Sequence, residues 1–381
     1  MNRRYDVQLL ILSLGMVLLG LAMVYSASSY QDALAGRPYA HLLKQAVATG
    51  MGLACMRALA VVPYRKLGRF IPWIFGLGIA ALLLVWVPGV SHSANGATRW
   101  FRVLGMSFQP AEFVKMGAVV TVAWWMARNR GRADDPVVLG TVAVGLALPL
   151  ALILMQPDFG SFAVICVLSF VVVVLAGLPL AWIAGLGGLG ALGLAVVAIA
   201  EPYRVKRLTS FLDPFQDCSG DGYQVCQSLL AFHHGGVVGQ GLGASVAKLE
   251  FLPEPHNDFI AAVYGEETGL IGMFVLFALY AAFAWRGYRI ATTAPDLFGA
   301  LLAQTFTIMI VGQACMNLGV ALSMVPPKGL VLPFMSYGAS AMIVNLAAVG
   351  VMLSVSAEAT QRATSNADER APGQSPALTG A

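Results

Sequence analysis

Long apolar stretches separated by short polar segments run through almost the whole chain of 381 residues. Ten stretches come close to the roughly 20 residues that a helix needs to cross about 30 Å of hydrocarbon. They lie near 8–27, 45–62, 70–88, 111–127, 137–155, 160–177, 180–200, 268–285, 298–316 and 339–356. The apolar–polar alternation of a membrane β-barrel is absent. The pattern therefore predicts an all-α fold, a polytopic membrane protein with ten transmembrane helices within residues 1–356.

One connection, between the seventh and eighth predicted helices, is much longer than the others. It covers residues 201–267, and loops beyond about 12–15 residues are usually functional. Within it, "QSLLAFHHGG" has apolar residues at helical spacing, which predicts a short helix on the membrane surface. A passive cap over the membrane domain is the alternative. From residue 357 the chain becomes polar and rich in Ala, Ser, Thr and Gly, which predicts a disordered tail over 357–381.

Composition and charge set the orientation of this bundle. Hydrophobic residues make up 58% of the chain and charged residues only 11%, whereas a soluble domain carries roughly 25% charged residues. Lys and Arg concentrate in alternate connections, so the positive-inside rule places both termini in the cytoplasm and the long loop outside. The net charge of +4 follows from this asymmetry and needs no nucleic-acid partner. The first apolar run is too long for a typical cleaved signal and is expected to remain as a helix.

Six motifs follow one another in a characteristic order. They are "GATRWFRVLGMSFQPAEFVK" (96–115), "QPDFG" (156–160), "DGYQ" (221–224), "LPEPHNDFI" (252–260), "GEETG" (265–269) and "PPKGLVLPFMSYG" (326–338). The set resembles the SEDS family (shape, elongation, division, sporulation) of bacterial cell-wall proteins, and its cell-division branch more than its elongation branch. The resemblance implies a glycosyltransferase of the bacterial inner (cytoplasmic) membrane that polymerises lipid II into glycan strands outside the membrane. It also implies a class B penicillin-binding transpeptidase and other cell-division proteins as partners.

Acidic residues crowd into one stretch, "EFLPEPHNDFIAAVYGEETG" (250–269), which holds five carboxylates and a histidine. Joining two sugars with loss of a polyprenyl diphosphate requires a base for the acceptor hydroxyl, and a carboxylate is suitable. The resemblance implies that Asp258 is this catalytic base. The residues alone leave open that Asp258 only caps the following helix. Glu266 and Glu267 are expected to have structural or supporting roles.

The neighbours of Asp258 have less defined roles. Glu254 and His256 are expected to orient the loop, bind a metal or contact a sugar, although the histidines are too sparse to favour a zinc site. Pro255 and Asn257 depart from the family pattern, which puts the geometry of the loop in question but not the aspartate. A divalent cation, Mg²⁺ or Mn²⁺, is expected to assist departure of the diphosphate. No organic cofactor is expected.

A second group of charged residues lies at the start of the fourth predicted helix. In "SFQPAEFVK", Pro110 suits the first helical position, and Glu112 and Lys115 are three residues apart on one helix face. Ionisable groups inside a membrane are costly and are usually functional. Lys115, with Glu112, is therefore expected to meet the substrate diphosphate or to connect to the Asp258 loop. The alternative is an ion pair that only fixes helix packing.

Several other polar residues on the outer side are candidates for binding the substrate. Arginine suits phosphate oxygens, although any of these arginines could instead contact the headgroups of membrane lipids. Lys328 and Ser336 lie on a segment broken by Pro and Gly, which is tolerated at membrane depth where it lines a cavity. Asp158 is expected to cap the sixth helix. The candidate substrate-binding residues in these segments are Arg99, Arg102, Arg204, Arg207, Lys328 and Ser336.

Two cysteines, Cys218 and Cys226, share the long outer loop. They lie eight residues apart in an oxidising compartment, where a disulfide between them is feasible. Cys55, Cys166 and Cys315 fall in predicted membrane helices and are expected to be packing residues.

Two other functions remain open at the level of sequence. A ten-helix bundle with buried charge also suits a lipid II flippase, although the sequence shows no inverted repeat. A non-catalytic scaffold of the division machinery is the third reading. The carboxylates gathered in one outer loop favour the enzyme, because a flippase needs polar groups along its whole path.

Overall fold

The computed structural model describes residues 5–87, 91–94, 97–103, 105–199, 215, 218, 220, 222–249, 251–326 and 329–370. This part of the chain contains ten α-helices of 17 residues or more and one shorter helix, α8 (Tyr223–Gly235). The long helices are α1 (Val7–Leu34), α2 (Ala40–Val61), α3 (Leu67–Leu84), α4 (Pro110–Arg128), α5 (Pro136–Met155), α6 (Phe159–Leu175), α7 (Leu180–Ile199), α9 (Ile260–Thr292), α10 (Leu297–Ala321) and α11 (Ala339–Arg370).

Each predicted apolar stretch overlaps one of these long helices. Seven of them, α1, α3, α5, α7, α9, α10 and α11, are long and apolar enough to cross a membrane. The shorter helix α6 has 17 residues, whereas α2 and α4 carry charged residues, among them Lys44, Arg57, Glu112 and Lys115. The chain is thus a multi-pass helical membrane protein.

The centre of the bundle is α11, and its edge is α7. Of the most apolar 18 residues of each helix, 94% are buried in α11 and none in α7. Glycines allow α2 and α11 to approach closely, since a Cβ at Gly350 would lie 2.5 Å from Met56 O. A Cβ at Gly52 would lie 2.6 Å from Leu346 Cδ1. Small residues permit such close contact between membrane helices.

The connection between α3 and α4 corrects the all-α prediction. It forms a three-stranded antiparallel sheet of β1 (Ser91–Ala94), β2 (Ala97–Val103) and β3 (Met106–Phe108). The sequence of β2, "ATRWFRV", is rich in the β-branched and aromatic residues that favour strands. Gly105, at φ +77°, supplies the positive φ in the tight connection from β2 to β3. The alternation that marks a membrane-spanning strand extends over about ten residues, so it does not indicate so short a sheet.

The eighth predicted helix starts earlier than its apolar stretch indicates. Helix α9 begins at Ile260 rather than near residue 268, and it is broken at Gly269, which has φ 65° and ψ −165°. At this break, backbone groups of α9 form hydrogen bonds with the segment 236–241 in place of helical ones. Leu270 N donates to Gly236 O, and Gly241 N donates to Glu267 O. The expected loop 201–267 is therefore shortened by the first two turns of α9, and those turns include the buried glutamates.

The long connection between α7 and α9 contains the predicted short helix, α8, and the disulfide. Cys218 and Cys226 are joined, with 5.7 Å between their Cα atoms, so the disulfide fixes the chain to the first turn of α8. Helix α8 packs against α9. Arg204 and Arg207 lie outside the described residues.

The carboxyl-terminal segment corrects a second prediction. Residues 357–370 continue α11 and are not a disordered tail. Glu358 lies 3.4 Å from Arg65 Nη1, and Arg362 Nη1 donates to Pro295 O at 2.8 Å. These polar contacts hold the end of the helix beyond its apolar part. Residues 371–381 lie outside the described part.

Candidate active site

Asp258 occupies the last turn of the loop before α9, against the segment 329–338. Asn317 Nδ2 donates to Asp258 O at 2.8 Å and to Leu330 O at 2.6 Å. A Cβ at Gly329 would lie 2.8 Å from Asp258 Oδ2, so the carboxylate lies beside this backbone. The N-cap of α9 is Phe259, whose side chain makes no capping hydrogen bond. Asp258 thus precedes the N-cap position of α9.

The turn before Asp258 is tightly constrained. Glu254 has φ 50°, an uncommon value for a residue other than glycine. Asn257 holds this conformation, since its backbone N donates to Glu254 O at 3.0 Å and its Nδ2 donates to Glu254 Oε2 at 2.8 Å. Pro255 is buried beside it. The two departures from the family pattern, Pro255 and Asn257, are therefore part of a defined turn.

Glu254 and His256 differ in their access to solvent. The side chain of Glu254 is 61% exposed and that of His256 only 6%, with 3.5 Å between Glu254 Oε2 and His256 Nε2. The imidazole of His256 lies against the rings of His41 and Tyr337. Burial, together with the nearby His41, lowers the pKa of His256 to about 4, although Asp32 acts in the opposite direction. His256 is therefore a neutral, enclosed side chain, whereas Glu254 is accessible to a ligand.

His256→Asn should remove one component of the protein's sensitivity to acid. The pKa of His256 is about 4 in the folded protein against an ordinary 6.5, so the unfolded state binds more protons between these values. The resulting stability is fully present above pH 6.5 and is lost as the pH falls toward about 4, a difference of about 3 kcal/mol. We expect the melting temperature in detergent to fall less steeply over this range in the variant. Equal slopes for wild type, His256→Asn and the exposed control His233→Asn would contradict a buried neutral His256.

The segment 329–338 is fixed by side chains from several helices. Tyr280 Oη donates to Pro333 O at 2.6 Å, and Gln45 Nε2 donates to Ser336 O at 3.2 Å. Ser336 is buried, and its Oγ accepts a hydrogen bond from Leu332 N at 2.7 Å. The structure therefore places Ser336 inside the turn, where its hydroxyl stabilises the backbone. Lys328 lies outside the described residues.

The predicted pair Glu112 and Lys115 is present and connects to this segment. Lys115 Nζ donates to Glu112 Oε2 at 2.7 Å and to Gln313 Oε1 at 3.0 Å. The side chains of Lys115 and Glu112 are only 4% and 13% exposed. Gln313 Nε2 in turn donates to Val331 O at 2.9 Å. The buried lysine is thus linked through one amide to the backbone that lies beside Asp258.

Gln313 and Asn317 were missed by the sequence analysis. They lie four residues apart on α10 and so share one face of the helix. Gln313 contacts Lys115, and Asn317 contacts Asp258 and Leu330. Two amides inside an apolar helix were the only available signal, since polar groups in a membrane span are costly.

Asp158 lies at the start of α6, and Arg99 and Arg102 lie on β2. Asp158 caps α6 as predicted, because its Oδ1 accepts from Ser161 N at 3.1 Å. Arg99 donates to Gln156 O at 3.3 Å and also to Pro157 O, and its Nη1 lies 4.0 Å from Asp158 Oδ1. This arginine therefore attaches the sheet to the start of α6. Arg102 is exposed and lies near Tyr337, where its charge opposes the rise in the pKa of Tyr337 that burial causes.

Glu266 and Glu267 anchor the connection that precedes α9. Both are buried in the first turns of α9. Glu267 Oε1 accepts from Ser26 Oγ at 2.6 Å and from Lys248 Nζ at 3.1 Å. Glu266 Oε2 accepts from Ser245 Oγ and, at 3.1 Å, from Ala247 N. These contacts agree with the expected structural roles and add Lys248, which the sequence analysis did not single out.

The arrangement of donor side chains decides whether the described residues form a metal site. Within the described part of the chain, no group of three or more His, Cys, Asp or Glu side chains is arranged to hold a metal ion. Among the described residues, a cation at Asp258 would therefore find fewer than three protein ligands of these types.

This arrangement defines a class of protein: a multi-pass helical membrane protein in which a carboxylate lies between a broken helix and an irregular segment. The model of the FtsW, RodA and SpoVE family, described as "Cell cycle protein", matches residues 7–361. The chain belongs to this family, as the six motifs indicate.

Relatives and solved structures agree with the assignment. The chain is 41% identical over 371 residues to a protein of Thioalkalivibrio sulfidiphilus named "Probable peptidoglycan glycosyltransferase FtsW", covering 94% of this chain and 91% of the relative. It resembles a chain described under "Structural coordination of polymerization and crosslinking by a peptidoglycan synthase complex", with a TM-score of 0.75 and 32% sequence identity. The match covers 94% of this chain and 99% of the other. The chain also resembles the rod shape determining protein RodA of Thermus thermophilus, with a TM-score of 0.66 and 30% sequence identity. This match covers 92% of this chain and 96% of the other.

Proposed function

We propose that the protein is a peptidoglycan glycosyltransferase that polymerises lipid II, with Asp258 as its general base. The observation that carries the proposal is the position of Asp258, held by Asn317 beside the Gly329 backbone. The buried Lys115 reaches the same segment through Gln313. The resemblance to relatives named as glycosyltransferases supports the reaction class.

In the proposed reaction, Asp258 accepts the proton of the acceptor hydroxyl. The hydroxyl oxygen forms a bond to C1 of the donor sugar, while the bond from C1 to the polyprenyl diphosphate breaks. The electron pair leaves with the diphosphate, which cationic groups stabilise as its charge develops. A carboxylate positioned for such a proton transfer contributes about 10²–10⁴ to the rate.

The groups that would bind the diphosphate come from several segments. Arg102 is exposed near Tyr337, and we propose that it binds the diphosphate together with Lys115, which is buried. Glu254 is the accessible carboxylate for a sugar hydroxyl. Mg²⁺ binds through one or two carboxylates together with substrate phosphates, and this is the manner in which a divalent cation would bind here. The remaining proposed contacts are Arg99, Arg204, Arg207 and Lys328.

We also propose that all ten long helices cross the membrane. Helices α2, α4 and α6 would complete the seven clearly apolar spans. An even number of crossings keeps both termini in the cytoplasm and places Asp258 on the outer side, in agreement with the distribution of Lys and Arg.

The proposed reaction and the flippase alternative give different results with purified protein. Protein supplied with its transpeptidase partner and lipid II should produce glycan strands that can be separated by length on gels. A flippase would instead move labelled lipid II across liposomes without forming strands. Translocation in the absence of any polymer would overturn the enzyme proposal, and neither activity would favour a scaffold.

We propose that a class B penicillin-binding transpeptidase docks on α9, and the likeness to a chain of a synthase complex supports this kind of partner. Small residues along α9 permit close approach of a partner helix, but Gly272 is buried, and a Cβ there would lie 1.9 Å from Thr268 Oγ1. Ala278 and Ala281 are exposed and Ala282 is partly buried. The proposed surface is therefore the exposed face with Ala278 and Ala281.

Ala278→Trp should weaken co-purification with the transpeptidase and lower its stimulation of polymerisation by about tenfold or more, a loss of about 1.4 kcal/mol in binding. A bulky ring prevents the close helix approach that small residues permit. The matched control is Ala191→Trp on the peripheral helix α7, which should leave both measurements unchanged. Equal behaviour of Ala278→Trp and Ala191→Trp would place the interface elsewhere.

A further inference from the structure

A buried carboxylate and a histidine form a pair where α1 meets α2. Asp32 is only 3% exposed. Its Oδ1 lies 2.6 Å from His41 Nδ1, and its Oδ2 accepts from the backbone N of His41 at 3.1 Å. One carboxylate therefore binds both the ring and the backbone of one histidine, which fixes the orientation of the imidazole. Neither residue belongs to the six motifs.

The ring of His41 is in contact with the turn that carries Asp258. The ring centroid of His41 lies 4.5 Å from that of His256 and 5.0 Å from that of Tyr337. The rings of His256 and Tyr337 are 5.5 Å apart, and Tyr337 N donates to His256 O at 2.9 Å. Three segments of the chain, from α2, from the turn and from 329–338, thus meet two residues before Asp258.

His256 depends on these neighbours for its position. Its Nδ1 is buried and has no hydrogen-bond partner among the described residues. Its Nε2 is 3.5 Å from the exposed Glu254, too long for a strong bond. Contact with the rings of His41 and Tyr337 is therefore the main constraint on the imidazole within the described structure.

We propose that Asp32 and His41 are positioning residues for the reaction at Asp258. Asp32 fixes the ring of His41, the ring of His41 packs against His256, and His256 holds the turn that places the Asp258 carboxylate beside Gly329. This rests on the proposed glycosyltransferase function. A structural role alone would be served by apolar packing, whereas a buried carboxylate is costly unless it is paired. The charged and titratable groups facing the cluster are Asp32, His41, His256, Glu254, Tyr337 and Arg102.

His41→Ala should lower kcat by about 100-fold while KM for lipid II changes by no more than about twofold, because a shift of about 1 Å at a catalytic group has an effect of this size. Asp32→Asn should give a smaller loss in the same parameter and serves as the second variant where His41→Ala folds poorly. His233→Ala removes an exposed histidine of α8 and should leave kcat unchanged.

A double-mutant cycle separates positioning from a general loss of stability. If His41 acts through His256, the variant His41→Ala/His256→Ala should have a kcat close to that of the lower single variant, since coupled residues are not additive. Multiplied losses in kcat would show that the two histidines act independently and would overturn the proposal, as would wild-type kcat in both Asp32→Asn and His41→Ala.

Hydrogen exchange tests the same proposal without an enzyme assay. His41→Ala should speed amide exchange across the turn 251–259 while exchange in α10 stays as in the wild type. Unchanged exchange in the turn would overturn the proposed positioning role of Asp32 and His41. If His41→Ala exchanges faster but the wild-type protein makes no polymer, the positioning of the turn is retained and the proposed function is overturned.

Discussion

Asp258→Asn is expected to abolish measurable polymerisation of lipid II, lowering the rate by about 10²–10⁴. Asparagine has nearly the same shape as aspartate and keeps the backbone bond from Asn317 to residue 258. It cannot accept the proton of the acceptor hydroxyl. Folding should therefore be preserved while the chemical step is lost. The measurement is strand formation by purified protein with its partner, together with the melting temperature of the variant.

Two other carboxylates provide matched controls for this experiment. Glu254→Gln changes an exposed side chain of the same turn and should retain more activity than Asp258→Asn. Glu267→Gln weakens the contacts with Lys248 and Ser26, so it should mainly lower stability, with a milder loss of activity. Normal strand synthesis by Asp258→Asn would remove the general-base assignment whatever the controls show.

Local patterns predicted the parts of this fold that depend on neighbouring residues. The ten apolar stretches, the pair Glu112 and Lys115, and the cap Asp158 all follow from hydrophobicity or helical spacing within a few positions. The start of α9 was harder to predict from the sequence. Its first turns contain Glu266 and Glu267, which interrupt the apolar run, and their partners Lys248 and Ser26 are distant in sequence.

The contacts that position Asp258 are long-range and could not be predicted from spacing. Asn317 reaches Asp258 across 59 positions and Leu330 across 13. Asp32 and His41 are joined to His256 only through the folded bundle. Neither an amide in an apolar helix nor a histidine at a helix start indicates by itself which segment it will meet.

Lys115→Met alone is expected to destabilise the protein by about 3–5 kcal/mol, because it leaves the Glu112 carboxylate buried without its partner. The double variant Glu112→Leu/Lys115→Met removes both charges and should recover much of that stability. Recovery will be incomplete, since Gln313 Oε1 loses the hydrogen bond from Lys115, and an unsatisfied buried acceptor costs about 1–3 kcal/mol. Melting temperatures of Lys115→Met, Glu112→Leu and the double variant measure these differences.

Activity of the stable double variant then decides what Lys115 does. If its charge stabilises the departing diphosphate, or its bond to Gln313 fixes the segment beside Asp258, the double variant should be folded and yet at least about 100-fold less active. Gln313→Leu in the wild-type background separates these two roles, because it cuts the connection to Val331 but leaves the ion pair. Loss of activity in both variants favours positioning, and loss in the double variant alone favours direct contact with substrate. A double variant that is stable and fully active would show that the buried pair serves packing only.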